Sequence, residues 1–188
     1  MKKKLGSVNV LYPTTTTLVG AMVNGKPNFI TIAHVGIMTH RTPNCISLGM
    51  NKMHYTNGGI KENKTFSVNI PSEGLVKETD YCGLVSGKST DKSALFTIFY
   101  GELGSAPMIG ECLLNMECRL YQVVDFPEND IFIGEIIQTY AEEDMLSDGG
   151  VDLAKLKPLL FDMSSMKYWS IGTPIARCWN VGKELKKK

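Results

Sequence analysis

A chain of 188 residues, 43% of them hydrophobic, is long enough to bury a sizeable core without disulfides or a structural metal. Its 20 basic and 19 acidic residues leave a formal charge of +1, which argues against nucleic acid as the main ligand. No apolar run reaches the roughly 20 residues of a membrane span, and after Lys4 the chain alternates polar and apolar residues instead of forming a signal-peptide core. One domain, 1–188, is expected. Lys2 to Lys4 and Lys186 to Lys188 read as solubilising tails, with no interleaved aromatic residues to make them nucleic-acid arms. Cys45, Cys82, Cys112, Cys118 and Cys178 are odd in number, widely spaced and without a CxxC pair, so they read as reduced thiols of a cytoplasmic protein.

In chain order, the β-branched run Thr14 to Val23 ends at Asn24-Gly25, and a second run starts after Lys26-Pro27. Asn-Gly suits the two positive-φ positions of a type I′ hairpin turn, so the two runs are predicted to pair antiparallel, with Pro27 at a strand start or on an edge. A strand at Cys45 to Met50 follows. Thr56 is a candidate N-cap for a short helix toward Asn63. The next strand alternates Phe66, Val68 and Ile70 with Thr65, Ser67 and Asn69, giving one apolar and one polar face. Ser72 can cap a helix carrying Leu75, Val76 and Thr79 on one side, with Gly83 and Gly87 to stop it. Leu95 to Tyr100 reads as a short strand. Cys112 to Val124 and Ile131 to Tyr140 read as a second hairpin across the turn-rich segment 125–130. After Asp148-Gly149-Gly150, Val151 to Leu156 has room for a helical turn or two. Many strands, two hairpins and few helices point to an antiparallel β-barrel with helical additions.

The polar patch Asn51, Lys52, His54, Tyr55 and Thr56, followed by Gly58 and Gly59, is the candidate working site. Lys52 supplies a cation, Tyr55 and Thr56 supply hydroxyl donors, and a helix start offers unpaired N–H groups to an anion, so the patch suits a phosphate. A capped turn is the plainer reading of the same residues. Other chemistry finds less support. The segment 86–92 is not a nucleotide P-loop, because Cys82 stands where its first glycine is required. His34, His40 and His54 have no carboxylate at a metal spacing, Gly-x-Ser-x-Gly is absent, and there is no dinucleotide fingerprint. A Cys45–His54 nucleophile pair has no local signature, though the sequence leaves it open. An enzyme without acid–base machinery borrows its reactive group, and a cofactor with a phosphate handle fits the patch.

Several stretches, in this order, resemble the flavin reductase-like family with an FMN-binding split barrel, and within it the flavoredoxin type. They are Asn28 to Ala33, Lys52-Met53-His54-Tyr55-Thr56, Phe66 to Pro71, and Tyr81-Cys82-Gly83. Ser86-Gly87, Asp91-Lys92, and Pro107-Met108-Ile109 with Glu111 continue the series. The resemblance runs from about Pro13 to Gly182. It implies a mainly β, six-stranded antiparallel Greek-key split barrel that binds FMN, commonly as a homodimer, and takes electrons from NAD(P)H or a redox protein. It also implies a binding set. Asn28 belongs to it; Thr31, Ile32, Ala33 and His34 lie beside the flavin ring; Leu48, Gly49, Met50 and Asn51 flank the ring and ribityl chain. Lys52, His54, Tyr55 and Thr56 form the phosphate end. Asn69 with Ser86, Gly87, Asp91 and Lys92 completes the pocket. His34 and Lys92 are the candidates for tuning the ring; many relatives carry an aromatic residue where His34 stands, and an aromatic residue where Ser93 follows Asp91-Lys92. The rival expectation is a non-catalytic flavin or haem sensor of the same barrel type.

Overall fold

A computed structural model describes residues 1–187, so Lys188, the end of the expected lysine tail, lies outside the described residues. The chain forms β1 (Thr14–Thr15), β2 (Thr17–Val23), β3 (Lys26–Ile32), β4 (Val35–Ile37), β5 (Cys45–Asn51), α1 (Thr56–Asn63), β6 (Thr65–Ile70) and α2 (Val76–Leu84). Then come β7 (Ile98–Phe99), β8 (Met108–Ile109), β9 (Leu114–Asp125), β10 (Asn129–Ala141), β11 (Leu146–Ser147), β12 (Gly150–Val151), α3 (Leu153–Leu156), β13 (Leu160–Asp162) and β14 (Lys167–Trp169). Among the described residues no helix is long and apolar enough to cross a membrane.

One antiparallel sheet runs in the order β3-β2-β6-β9-β10-β5-β4. Its two edge strands, β3 and β4, are consecutive in the chain, separated only by Ala33 and His34. The same run of backbone therefore ends the sheet on both sides, and a bend at these two residues curls it into a barrel. The sheet is counted as seven strands because that run is split; with β3 and β4 taken together it is the six-stranded barrel expected. The first hairpin forms as read, with Asn24 at φ 50° and Gly25 at φ 75° in the turn and Pro27 on the edge strand β3. So does the second, β9 with β10.

The barrel interior is filled by Val19, Ala21, Leu48, Met50, Phe66, Val68 and Phe132, with Ile60 of α1 plugging one end. A second apolar cluster, Leu18, Phe29, Cys82, Phe96, Ile109 and Cys112, lies outside β2 and β3 under α2. β2 thus faces apolar neighbours on both sides, which explains its nearly continuous burial. β6 is buried on both faces too. Its polar face meets the segment around Pro107 instead of water: the Ser67 hydroxyl donates to the Pro107 carbonyl, and Asn69 accepts from the Ile109 amide.

Four local expectations change. Tyr55, not Thr56, precedes α1, and Thr56 is its first helical residue, because its hydroxyl is already taken by the Asn28 amide, 2.7 Å away. Ser72 makes no capping hydrogen bond; a short 3-10 turn at Glu73–Leu75 leads into α2. Gly83 does not stop α2 but lies inside it, where a Cβ would sit 3.4 Å from Thr31. That is ordinary contact, and the helix is tied to β3 by the Thr31 hydroxyl, which donates to the Thr79 carbonyl. Of Leu95 to Tyr100 only Ile98 and Phe99 are strand, since the Phe96 amide turns back to the Ser93 carbonyl.

Candidate functional site

The bend between β3 and β4 is where the fold leaves polar groups to spare. Against it lies a cleft of about 320 Å³. One side is Thr31, Ile32, Ala33 and His34 from the bend, the floor is Gly49 and Asn51 of β5, and His54 closes one end. These are seven of the residues expected to bind FMN, brought together from two stretches of the chain, 31–34 and 49–54. The floor is tight at Gly49, where a Cβ would lie 3.3 Å from the His34 Cβ. His34 is steadied by Tyr12, whose hydroxyl is 3.1 Å from Nε2. Two buried polar atoms of the lining, Thr16 Oγ1 and His54 Nδ1, have no hydrogen-bond partner in the protein. Buried groups left unpaired cost about 1–3 kcal/mol each, so an occupant offering donors and acceptors is favoured there. Burial, and then the nearby Lys92 ammonium, hold the His54 pKa below its ordinary value, keeping the ring neutral at pH 7.

Lys92 also belongs to a second, polar cavity of about 350 Å³, lined by Asn24, Lys26, Asn28, Tyr55 and the loop 87–92. Its side chain is only 2% exposed. The ammonium donates to the carbonyls of Cys82, at 3.1 Å, and Val85, at 3.0 Å, at the C-terminal end of α2. Among the described residues no carboxylate pairs with it. Its partners are carbonyls, and it is not a salt-bridged surface lysine. Burial lowers its pKa. Three N–H donors with two carbonyl acceptors leave one for a ligand. Tyr55 accepts from Asn24 at 3.0 Å and keeps its own hydroxyl proton to give. Ser86 lies on the exposed start of the loop, where its hydroxyl accepts from the Lys88 amide, and the Asp91 carboxylate is turned to Ser93.

The rest of the expected set is placed differently. Lys52 points away, its ammonium 2.6 Å from Asp125 at the tip of the β9–β10 hairpin. Leu48 and Met50 are wholly buried in the barrel interior. Thr56 and Asn28 satisfy each other beneath the polar cavity. Asn69 has every polar atom paired, to Leu18, Ser67, Ile109 and Asn115, and lines neither cavity. Cys45 opens the seven-residue β5 and His54 lies past its other end, which keeps them too far apart for a nucleophile pair. Burial raises the thiol pKa of Cys82 to about 11.

The sequence reading missed one wall of the cleft. Phe161, Met163 and Tyr168 come from the β13–β14 hairpin, which pairs with the two-residue β1. The Tyr168 hydroxyl donates to Asp80 of α2 at 3.0 Å, and burial together with that carboxylate raises its pKa to about 12. The only local signal was the aromatic pair Tyr168-Trp169; what brings it to the cleft is pairing across most of the chain.

Residues 10–170 match the flavin reductase like domain. The chain belongs to the flavin reductase-like family. This flavin reductase-like chain is 30% identical over 145 residues to a protein of Archaeoglobus fulgidus, covering 76% of this chain and 80% of that one. Among solved structures it is similar to flavoredoxin from Methanosarcina acetivorans, with 47% identity, 98% and 99% of the two chains covered and a TM-score of 0.94. Flavoredoxin of Desulfovibrio vulgaris (Miyazaki F) shares 34% identity over 97% and 100% of the chains, with a TM-score of 0.90. Nitrilotriacetate monooxygenase component B from Bacillus cereus, at 19% identity and a TM-score of 0.83 over 94% and 100% of the chains, shares the fold. These neighbours are split-barrel flavoproteins, in agreement with the bent, closed sheet described above.

Proposed function

We propose that this chain binds FMN and passes electrons through it, as a flavin reductase or a flavoredoxin-like carrier. The observation that carries this reading is a pair of cavities, one bearing His54 and the other Lys92, whose charge acts on the His54 ring. On one side is a cleft for a planar group, on the other a lysine-bearing cavity for an anion. The residues fit the cofactor, since the edge of a flavin ring carries the donors and acceptors that Thr16 Oγ1 and His54 Nδ1 lack. Thr31 to His34 and Gly49 to Asn51 would hold the ring, and Asn28, Tyr55, Gly87 and Lys92 the phosphate, with Lys26 and Lys88 adding charge at the rim. Lys52 would join them only by leaving Asp125. Bound FMN supplies the reversible transfer of a hydride or single electrons. The protein's part is to position the ring, to exclude water with Phe161, Met163 and Tyr168, and to keep a cation near the anionic end.

The relatives of known structure include two flavoredoxins above 30% identity, which supports the same cofactor here. We infer a homodimer in a reducing, cytoplasmic setting, in keeping with five free cysteines, four of them buried. The donor is NAD(P)H or a redox protein. An anaerobic absorbance spectrum of the purified protein, taken before and after NADH and then NADPH, decides between them. Bleaching of a flavin band by either nucleotide identifies a reductase, whereas a flavin band that neither bleaches identifies a carrier served by a protein. A Soret band, or no uptake of added FMN, refutes the proposal.

A further inference from the structure

Beyond the β13–β14 hairpin the chain runs on without support. Every residue from 172 to 186 is exposed, Ile175 at 99% and Trp179 at 93%. The backbone hydrogen bonds of this stretch are local, such as Val181 to Arg177 and Lys183 to Asn180. A solvated tail would be expected to have no fixed course. This one does: the likeness to the Methanosarcina acetivorans structure covers 98% of the chain with a TM-score of 0.94. At that coverage only about 2% of the 188 residues is left unmatched, so this stretch of 15 residues is matched with the rest. Trp179 also holds φ at 54°, a left-handed conformation that a bulky aromatic residue rarely adopts without compensating contacts. The course is therefore set by something outside this chain.

The body of the molecule offers a matching seat. A mostly apolar groove of about 360 Å³ runs past Leu11, Tyr12 and Ile131 and is continuous, through His34, with a second one edged by Phe126 and Glu128. Leu11 is itself 87% exposed. An indole is large, apolar and able to bury about 150–250 Å² in such a seat. The charges agree as well, with Arg177, Lys183 and Lys186 on the tail against Glu184 alone, and Glu128 at the groove's rim.

We propose that residues 172–186 form an exchanged arm. In a two-fold dimer each arm crosses to the other copy and seats Trp179 in the groove beside that copy's His34. A two-fold exchange closes on itself, so both grooves are filled and no surface is left to propagate a fibre. Because His34 also walls the cleft, the site of each copy is then completed by its partner. The inference rests on the homodimer inferred above and not on the flavin.

The test reads mass and thiol reactivity on the full-length protein, with or without FMN. Sedimentation is expected to show a dimer for the intact chain and a monomer for a chain ending at Ser170. The second readout is alkylation of Cys178, the exposed thiol among five. Docking is expected to slow it, and Leu11→Asp, a change at an exposed position, is expected to speed it about tenfold by freeing the arm. A truncated chain that keeps the dimer mass, or Cys178 reacting equally fast in the intact chain and in Leu11→Asp, overturns the arm exchange. An intact chain that sediments as a monomer overturns the dimer with it, and leaves the flavin reading to its own spectrum.

Discussion

Two polar regions of this barrel behave in opposite ways. Under β6, Ser67, Asn69 and Asn115 form a closed network in which each side chain finds a partner, down to the Asn115 amide bonded both to Asn69, at 2.8 Å, and to the Ile109 carbonyl, at 2.9 Å. Around the bend of β3 and β4, Thr16 Oγ1 and His54 Nδ1 are buried atoms that no group among the described residues pairs. A saturated network fixes a loop in place, whereas an unsaturated one holds donors and acceptors ready for something else. The difference also separates two lysines. Lys52 is neutralised by Asp125 at the surface, while Lys92 is buried against carbonyls with no counter-charge.

The comparison can be broken most forcefully on its saturated side. Asn69→Leu should cost about 3–5 kcal/mol in urea unfolding, because it takes a partner from the Leu18 carbonyl, the Ile109 amide and the Asn115 amide at once. A loss under 1 kcal/mol would mean that the network is not structural. Next in size is Lys92→Met. Affinity for FMN should fall by about 2–3 kcal/mol, the worth of a charge-assisted contact, with riboflavin, which lacks the phosphate, much less affected. Stability of the unliganded protein should hold or rise, since an unpaired buried charge is removed. Lys52→Ala should change both stability and FMN affinity by less than about 1 kcal/mol, as exposed ion pairs do; a loss equal to that of Lys92→Met would return the phosphate to the α1 end. The smallest effect is a pH slope. His54 has a folded pKa below 6.5, so the unfolded chain binds more protons between the two values, and stability is lost as pH falls from 6.5 toward the folded pKa. Thermal melts of wild type and His54→Gln from pH 8 to 5 should diverge in that window and coincide above it.

What could be read from the sequence was what is encoded nearby. Asn24-Gly25 dictates its own turn, and the turn-rich segment 125–130 brings the long runs on either side of it together. Thr31 to His34 and the Gly49 to His54 segment were recognisable as motif residues, and they do converge. Lys52 and Lys92 could not be ranked, because burial depends on how α2 packs and on Asp125, which is 73 positions away from Lys52. Gly83 looked like a helix stop, though α2 runs on to Leu84 beside Thr31, a residue of a distant segment. The wall made by Phe161, Met163 and Tyr168 was invisible for the same cause.

The split edge strand has a mechanical consequence. Because β3 and β4 are one piece of chain at opposite borders of the sheet, the barrel has a seam held by two residues, Ala33 and His34, and by the Gly49 amide bonded to the His34 carbonyl at 2.8 Å. A molecule lodged in the cleft lies across that seam and fastens the first border to the last. Its departure should let both borders open in a single event, so that amide exchange in β3 and β4 speeds up together while β6 and β9, in the middle of the sheet, keep their protection.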